Sequence, residues 1–103
     1  MVKRKVRGST TGRPIMALLD LLGRRWVLRL VWELREVPRR FRELQELIGG
    51  ASPTIVNARL RDLRDAKLVE LDPEAGYQLT ALGRELLNLI LPLHVWSERW
   101  MKP

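Results

Sequence analysis

Between positions 52 and 61 the chain carries Ser52, Thr54, Asn57 and Arg61, whose side chains are all able to form hydrogen bonds. On a helix turning about 100° per residue with Val56 set at the core, Leu60 and Leu63 fall within roughly 40° of Val56, whereas Thr54, Asn57, Ala58 and Arg61 fall on the opposite half. Their chemistry suits the edges of stacked bases. Arg gives paired bonds to guanine, Asn does likewise to adenine, and Thr bonds a base or phosphate or touches a thymine methyl. Ser52 and Pro53 would start this helix, Ser by accepting a bond from a free first-turn N–H and Pro by having no N–H to lose there. Arg64 lies toward the phosphate flank, and Ala58 permits close approach. Arg59 projects near the core edge, where an ion pair and a phosphate contact weigh equally. Arg24, Arg25, Arg39, Arg40 and Arg42 sit at helix starts or connectors, where guanidinium and free backbone N–H groups can hold phosphate without sequence choice.

The elements that must position these groups are legible on either side. Phe41 to Ile48 is apolar at 41, 44, 47 and 48, the three-and-four spacing of one buried stripe, and Gly49-Gly50 ends it. The second helix runs from Ser52 to about Lys67. Leu68 to Leu71 and Tyr77 to Leu79 are strand-like and flank Asp72-Pro73-Glu74-Ala75-Gly76, whose Pro and Gly favour a reversal. Two helices and a hairpin in this order predict a winged helix-turn-helix, mainly α with a small β-hairpin. Upstream, Pro14 opens a helix to Leu22 that is apolar on more than one side, and Gly23 breaks it. Arg24 to Arg35 follows as a helix with Trp26, Val27, Leu30, Val31 and Leu34 inward, and Val37 to Arg40 is a connector able to add a short strand to the wing sheet. Downstream, Thr80 caps a helix from Ala81 to about Trp100 that Pro92 should bend or break. Its apolar residues surround too much of its girth for a small monomer to hide. Pairing of the first and last helices in a homodimer is therefore expected, through Ile15, Leu18, Leu19, Leu22, Leu86, Ile90, Leu93, Trp96 and Trp100.

Composition narrows the partners. The chain has 103 residues and a formal net charge of +7. Lys3, Arg4, Lys5, Arg7 and Arg13 carry five of those charges, which marks residues 1–13 as a flexible basic arm ahead of one domain over residues 14–103. Residues 24–67 hold eleven Lys/Arg against six Asp/Glu, so the remaining basic excess sits on the base-reading half. No Lys or Arg lies between residues 68 and 83, so a short acidic wing should be repelled by phosphate. With no cysteine and a lone His94, no metal or cofactor set is implied, and a reducing cytoplasm suits the chain. No apolar run approaches the roughly 20 residues of a membrane span, nor is a signal peptide evident. One His, no Cys and no phosphate-binding glycine loop argue against an enzyme. Trp26, Trp32, Trp96 and Trp100 leave open a pocket for a planar small-molecule effector, although buried Trp at helical spacing is more often core or interface.

The run Leu22-Gly23-Arg24-Arg25-Trp26, then Leu30 to Leu34, Pro38 to Leu44, Ser52 to Leu63 and Tyr77 to Gly83 closely resembles the HxlR family of bacterial winged-helix transcriptional regulators. The resemblance covers residues 14 to 100. It implies a homodimer with paired terminal helices, a recognition helix over about 52–66 entering the major groove, and a wing near 73–76. This chain departs from the family pattern twice. Many relatives carry a cysteine near the start of the first helix, where this chain has Pro14-Ile15, so cysteine-based sensing is excluded. Many also have a longer wing with a Pro-Pro-Arg type tip. The expected function is a cytoplasmic, sequence-specific regulator binding a palindromic operator on double-stranded DNA, associated with the nucleoid when bound. The competing expectation is a winged-helix protein interaction module that binds no DNA.

Overall fold

The hydroxyls of Ser52 and Thr80 cap the starts of two helices. The computed structural model describes residues 12–103, with α1 over Pro14–Leu22, α2 over Val27–Glu33, α3 over Phe41–Ile48 and α4 over Pro53–Asp65. Strands β1 (Val69–Asp72) and β2 (Gly76–Leu79) and then α5 (Ala81–Met101) complete the order. Ser52 Oγ accepts from the Ile55 N–H at 3.2 Å. Thr80 Oγ1 accepts from the Gly83 N–H at 3.0 Å and donates to the Lys67 carbonyl at 2.6 Å, so one hydroxyl caps α5 and ties it to the end of α4. Of the basic arm expected over residues 1–13, residues 1–11 lie outside the described part.

Two helices are shorter than their sequence periodicity predicts. The helix expected from Arg24 is α-helical only from Val27, because Trp26 takes a left-handed conformation at φ 80° and the Val27 N–H closes a turn on the Arg24 carbonyl at 3.2 Å. The helix expected to reach Lys67 stops at Asp65. Lys67 is left-handed at φ 66°, its N–H bonds the Arg64 carbonyl at 2.9 Å and the Leu68 N–H bonds the Leu63 carbonyl at 3.0 Å. That pair of bonds is a Schellman closure with lysine where glycine is usual. Pro92 does not break α5, which continues to Met101.

The strands pair antiparallel in the register Val69↔Leu79, Glu70↔Gln78, Leu71↔Tyr77 and Asp72↔Gly76. The connector does join them. Arg39 and Tyr77 exchange backbone bonds of 2.9 and 2.8 Å. Gly76 is required at this junction, since it sits at φ +103° and a Cβ there would lie 2.7 Å from the Arg39 carbonyl oxygen. Gly83 answers a second close approach, because a Cβ on it would stand 2.0 Å from the Leu68 carbonyl oxygen.

The core is built around α2. Val27, Leu30, Val31 and Leu34 are buried, and against them pack Leu44 and Ile48 of α3, Val56, Leu60 and Leu63 of α4, Leu68, Val69 and Leu79 of the hairpin, and Leu86 and Leu87 of α5. The α1 helix contributes no fully buried residue. Leu18, Leu21 and Leu22 only lean on the core.

Candidate nucleic-acid interface

The periodicity of α4 sorts its side chains as a three-point anchor requires. Val56, Leu60 and Leu63 are essentially inaccessible, while Ser52, Pro53, Thr54, Asn57, Arg61 and Arg64 are exposed and Ala58 is half-buried. Between this helix and the hairpin lies an open cleft of about 470 Å³, lined by Asn57, Leu60, Arg61, Arg64, Asp65 and Tyr77. Two guanidinium groups, an amide and a phenol thus share one concave surface with a single carboxylate. Such a surface can donate hydrogen bonds to an anionic, hydrogen-bond-accepting ligand along its length.

The other arginines divide by what already holds them. Arg24, expected among the phosphate contacts, is instead engaged within the fold: its guanidinium lies 2.9 Å from Asp20 and 3.1 Å from Asp62. Burial works against its charge, but bonding and attraction to the two carboxylates outweigh that and raise its affinity for the proton. Arg59 resolves its two readings the same way, with Asp62 at 2.6 Å. Arg39 is partly engaged, 3.7 Å from Glu43 and 3.4 Å from the Glu33 carbonyl. Arg25 lies exposed over the Trp26 ring at 4.8 Å, and Arg42 is exposed at the start of α3.

The wing differs from its sequence reading in one respect. Its own strands carry no cation, but the Arg40 guanidinium donates to the Glu74 carbonyl and so brings positive charge to the turn from outside it. Asp72 turns inward on its own loop, accepting from the N–H groups of Glu74 and Ala75 at 2.8 Å each. Those bonds, Ala75's first, hold its carboxyl below the usual carboxylate range.

At the other end of the molecule the long helix resolves into two faces. Leu86 and Leu87 belong to the chain's own core, which removes Leu86 from the residues free to meet a partner. Leu82, Leu89, Leu93, Trp96 and Trp100, at spacings of seven, four, three and four, form an exposed stripe, and Trp96 stacks on Trp100 with ring centres 5.8 Å apart. Leu82 and Leu89 were not singled out from sequence; a helical-wheel sum restricted to α5 after removing the core positions finds them. On α1, Ile15, Met16 and Leu19 are exposed, whereas Leu18 and Leu22, like Ile90 of α5, pack partly against the core. The four tryptophans fall into separate ring contacts. Trp32 meets the Arg35 guanidinium at 4.3 Å and the His94 ring at 5.3 Å, and none of the four lines the cleft beside α4.

A helix-turn-helix with a two-stranded wing, its second helix polar outward and anchored inward, defines a winged helix-turn-helix protein. The chain belongs to the HxlR-like helix-turn-helix family, which matches it over residues 21–103, and is thus a transcriptional regulator and not an enzyme. An uncharacterized HTH-type transcriptional regulator of Synechocystis is 30% identical over 95 residues, 86% of this chain and 70% of the relative. The HTH-type transcriptional regulator YodB of Bacillus subtilis is 28% identical over 102 residues, 93% of this chain and 91% of YodB. The crystal structure of quinone-bound YodB superposes with a TM-score of 0.75 at 30% identity, covering 84% of this chain and 98% of YodB. The crystal structure of a possible HxlR family transcriptional factor from Thermoplasma volcanium gives a TM-score of 0.75 at 28% identity, over 85% of this chain and 84% of that one.

Proposed function

We propose that this regulator binds double-stranded DNA as a homodimer, laying the Ser52–Arg61 face of α4 into the major groove of each half of a palindromic operator. The observation that carries the reading is the division of α4. Its inward side packs in the core, and Thr54, Asn57, Arg61 and Arg64 are left outward, the last three lining the cleft. Ser52 serves first as the cap, which orients the first-turn N–H groups, and Pro53 fixes the entry of the chain. Arg25, Arg40 and Arg42, with Arg39 in part, flank this helix as sequence-independent phosphate anchors, and Arg40 extends that role to the wing. The exposed stripes of α1 and α5 pair across the two-fold axis, through Ile15, Leu19, Leu82, Leu89, Leu93, Trp96 and Trp100. The basic arm adds affinity on any sequence. Its place of work is the cytoplasm, at the nucleoid.

YodB has been crystallised with bound quinone; because this chain has no cysteine, any small effector acting on it binds without a thiol. Arg61→Ala is expected to weaken binding to a selected operator by about 1–3 kcal/mol and to relax choice at one position per half-site. Titration of specific and random duplexes checks this. Equal losses on both would remove Arg61 from the base-reading set, and no binding of the unaltered protein to any duplex at low salt would favour a protein interaction module.

A further inference from the structure

One cluster of charges takes no direct part in the proposed DNA reading. Asp62 of α4 places its two carboxylate oxygens on different partners, Oδ1 3.1 Å from Arg24 Nη1 and Oδ2 2.6 Å from Arg59 Nη1. Arg24 in turn holds Asp20, in the last turn of α1, at 2.9 Å. The chain of contacts Asp20–Arg24–Asp62–Arg59 therefore runs from α1, through the turn that follows it, to α4. All four side chains are only 21–30% exposed, so solvent and salt screen these pairs less than they screen surface pairs.

Apolar packing holds α1 only in part, through Leu18, Leu21 and Leu22. None of α1's residues is fully buried, and a smooth contact of half-buried leucines leaves the angle of a short helix loosely set, whereas forked hydrogen bonds are directional. Nor does the cluster look built for stability alone. Arg59 Nε is buried without a partner, a cost that an apolar residue at position 59 would avoid, and part-buried ion pairs in general add little net stability over apolar replacements.

We propose that Asp62 is a positioning residue: by clasping Arg24 and Arg59 it fixes α4 against the end of α1, and so sets the distance and rotation between the two reading helices of a dimer. This rests on the reading of α4 as the DNA-reading helix and α1 as part of the dimer contact. Its consequence is a requirement on operator spacing, because two half-sites are read together only when their separation and phase match those of the two helices.

The test uses the full chain and a duplex panel carrying two selected half-sites, with the spacer changed one base pair at a time, plus a duplex with one half-site. The unaltered protein should lose about tenfold or more in affinity for a one-base-pair change of spacer. Asp62→Asn, which keeps the shape and removes both ionic contacts, should flatten that profile to within about threefold and leave single half-site affinity nearly unchanged; Asp62→Glu should restore part of it. Arg24→Gln, which leaves the Asp62–Arg59 pair intact, should flatten it too and decides the matter if Asp62→Asn does not fold. A spacing profile of unaltered shape in these variants, merely shifted to weaker binding, would overturn the proposal while leaving DNA reading by α4 intact. Failure of the unaltered protein to bind any duplex would overturn both.

Discussion

The second helix of the helix-turn-helix and the last helix of the chain begin alike and end with opposite surfaces. Ser52 caps α4 and Thr80 caps α5, each through its hydroxyl. In α4 the apolar residues Val56, Leu60 and Leu63 point inward, and the outward side is mostly amide, hydroxyl and guanidinium, with Ile55 and Asp65 also exposed. In α5 the core takes Leu86 and Leu87 and leaves Leu89 at 74% and Trp100 at 66% exposure. A polar helix face exposed beside arginines fits a hydrated polyanion, whereas a continuous apolar stripe in water fits another apolar surface. The exposed face, more than the buried one, therefore separates the helix proposed to read DNA from the helix proposed to pair.

The sharpest way to break that contrast is to attack the inner anchor of α4. Leu60→Ala should cost roughly 3 kcal/mol and lower Tm by about 12 °C or more, because it removes a side chain only 1% exposed from the shared core. Thermal unfolding followed by circular dichroism measures it; a loss under about 1 kcal/mol would mean that α4 is not held by this face. On the outer face of α5, Trp96→Ala should leave the monomer fold intact and weaken self-association by about 2 kcal/mol, roughly thirtyfold in Kd. Sedimentation equilibrium reads this directly, and an unchanged dissociation constant would take Trp96 out of the pairing surface.

Smaller changes refine the boundaries of the two helices. Lys67→Gly should stabilise the protein by about 0.5–1 kcal/mol, since the left-handed backbone at φ 66° carries a penalty that glycine escapes. Denaturant midpoints compare the two, and a destabilised variant would show that Lys67 makes a contact worth more than its strain. The smallest effect concerns the wing. Asp72, held below the usual carboxylate range by the Ala75 and Glu74 N–H groups, contributes stability that is present above its unfolded pKa and is lost as pH falls through its folded pKa. Asp72→Asn should therefore melt slightly below the unaltered protein at neutral pH, and the gap should close as pH falls below the carboxylate range. A gap that is independent of pH would assign the difference to something other than the charge.

Much of this was legible before folding was considered. The bounds of α3, the Ser52 and Thr80 caps, the hairpin and the sorting of α4 follow from local rules, because capping, turn propensity and helical periodicity act between residues a few positions apart. The candidate interface was legible only in part. Arg24, Arg39 and Arg42 look equivalent in the sequence, yet Arg24 is clasped by two carboxylates, Arg39 is shared with Glu43 and Glu33, and Arg42 is exposed. The start of α2 was misjudged for a related reason. A left-handed Trp26 is against the local preference of a bulky residue and persists only because its surroundings impose it.

The sequence alone settled the order of elements, the absence of thiol chemistry and the residues that α4 could present, since each depends on residue type and short-range spacing. Only the tertiary structure decided which of those charges are left for a partner. Asp62 lies 38 positions from Arg24, Glu74 lies 34 from Arg40 and Gly83 lies 15 from Leu68. Ion pairing and steric contact act through space over a few ångströms, and no periodicity along the chain records which distant residues the fold brings that close.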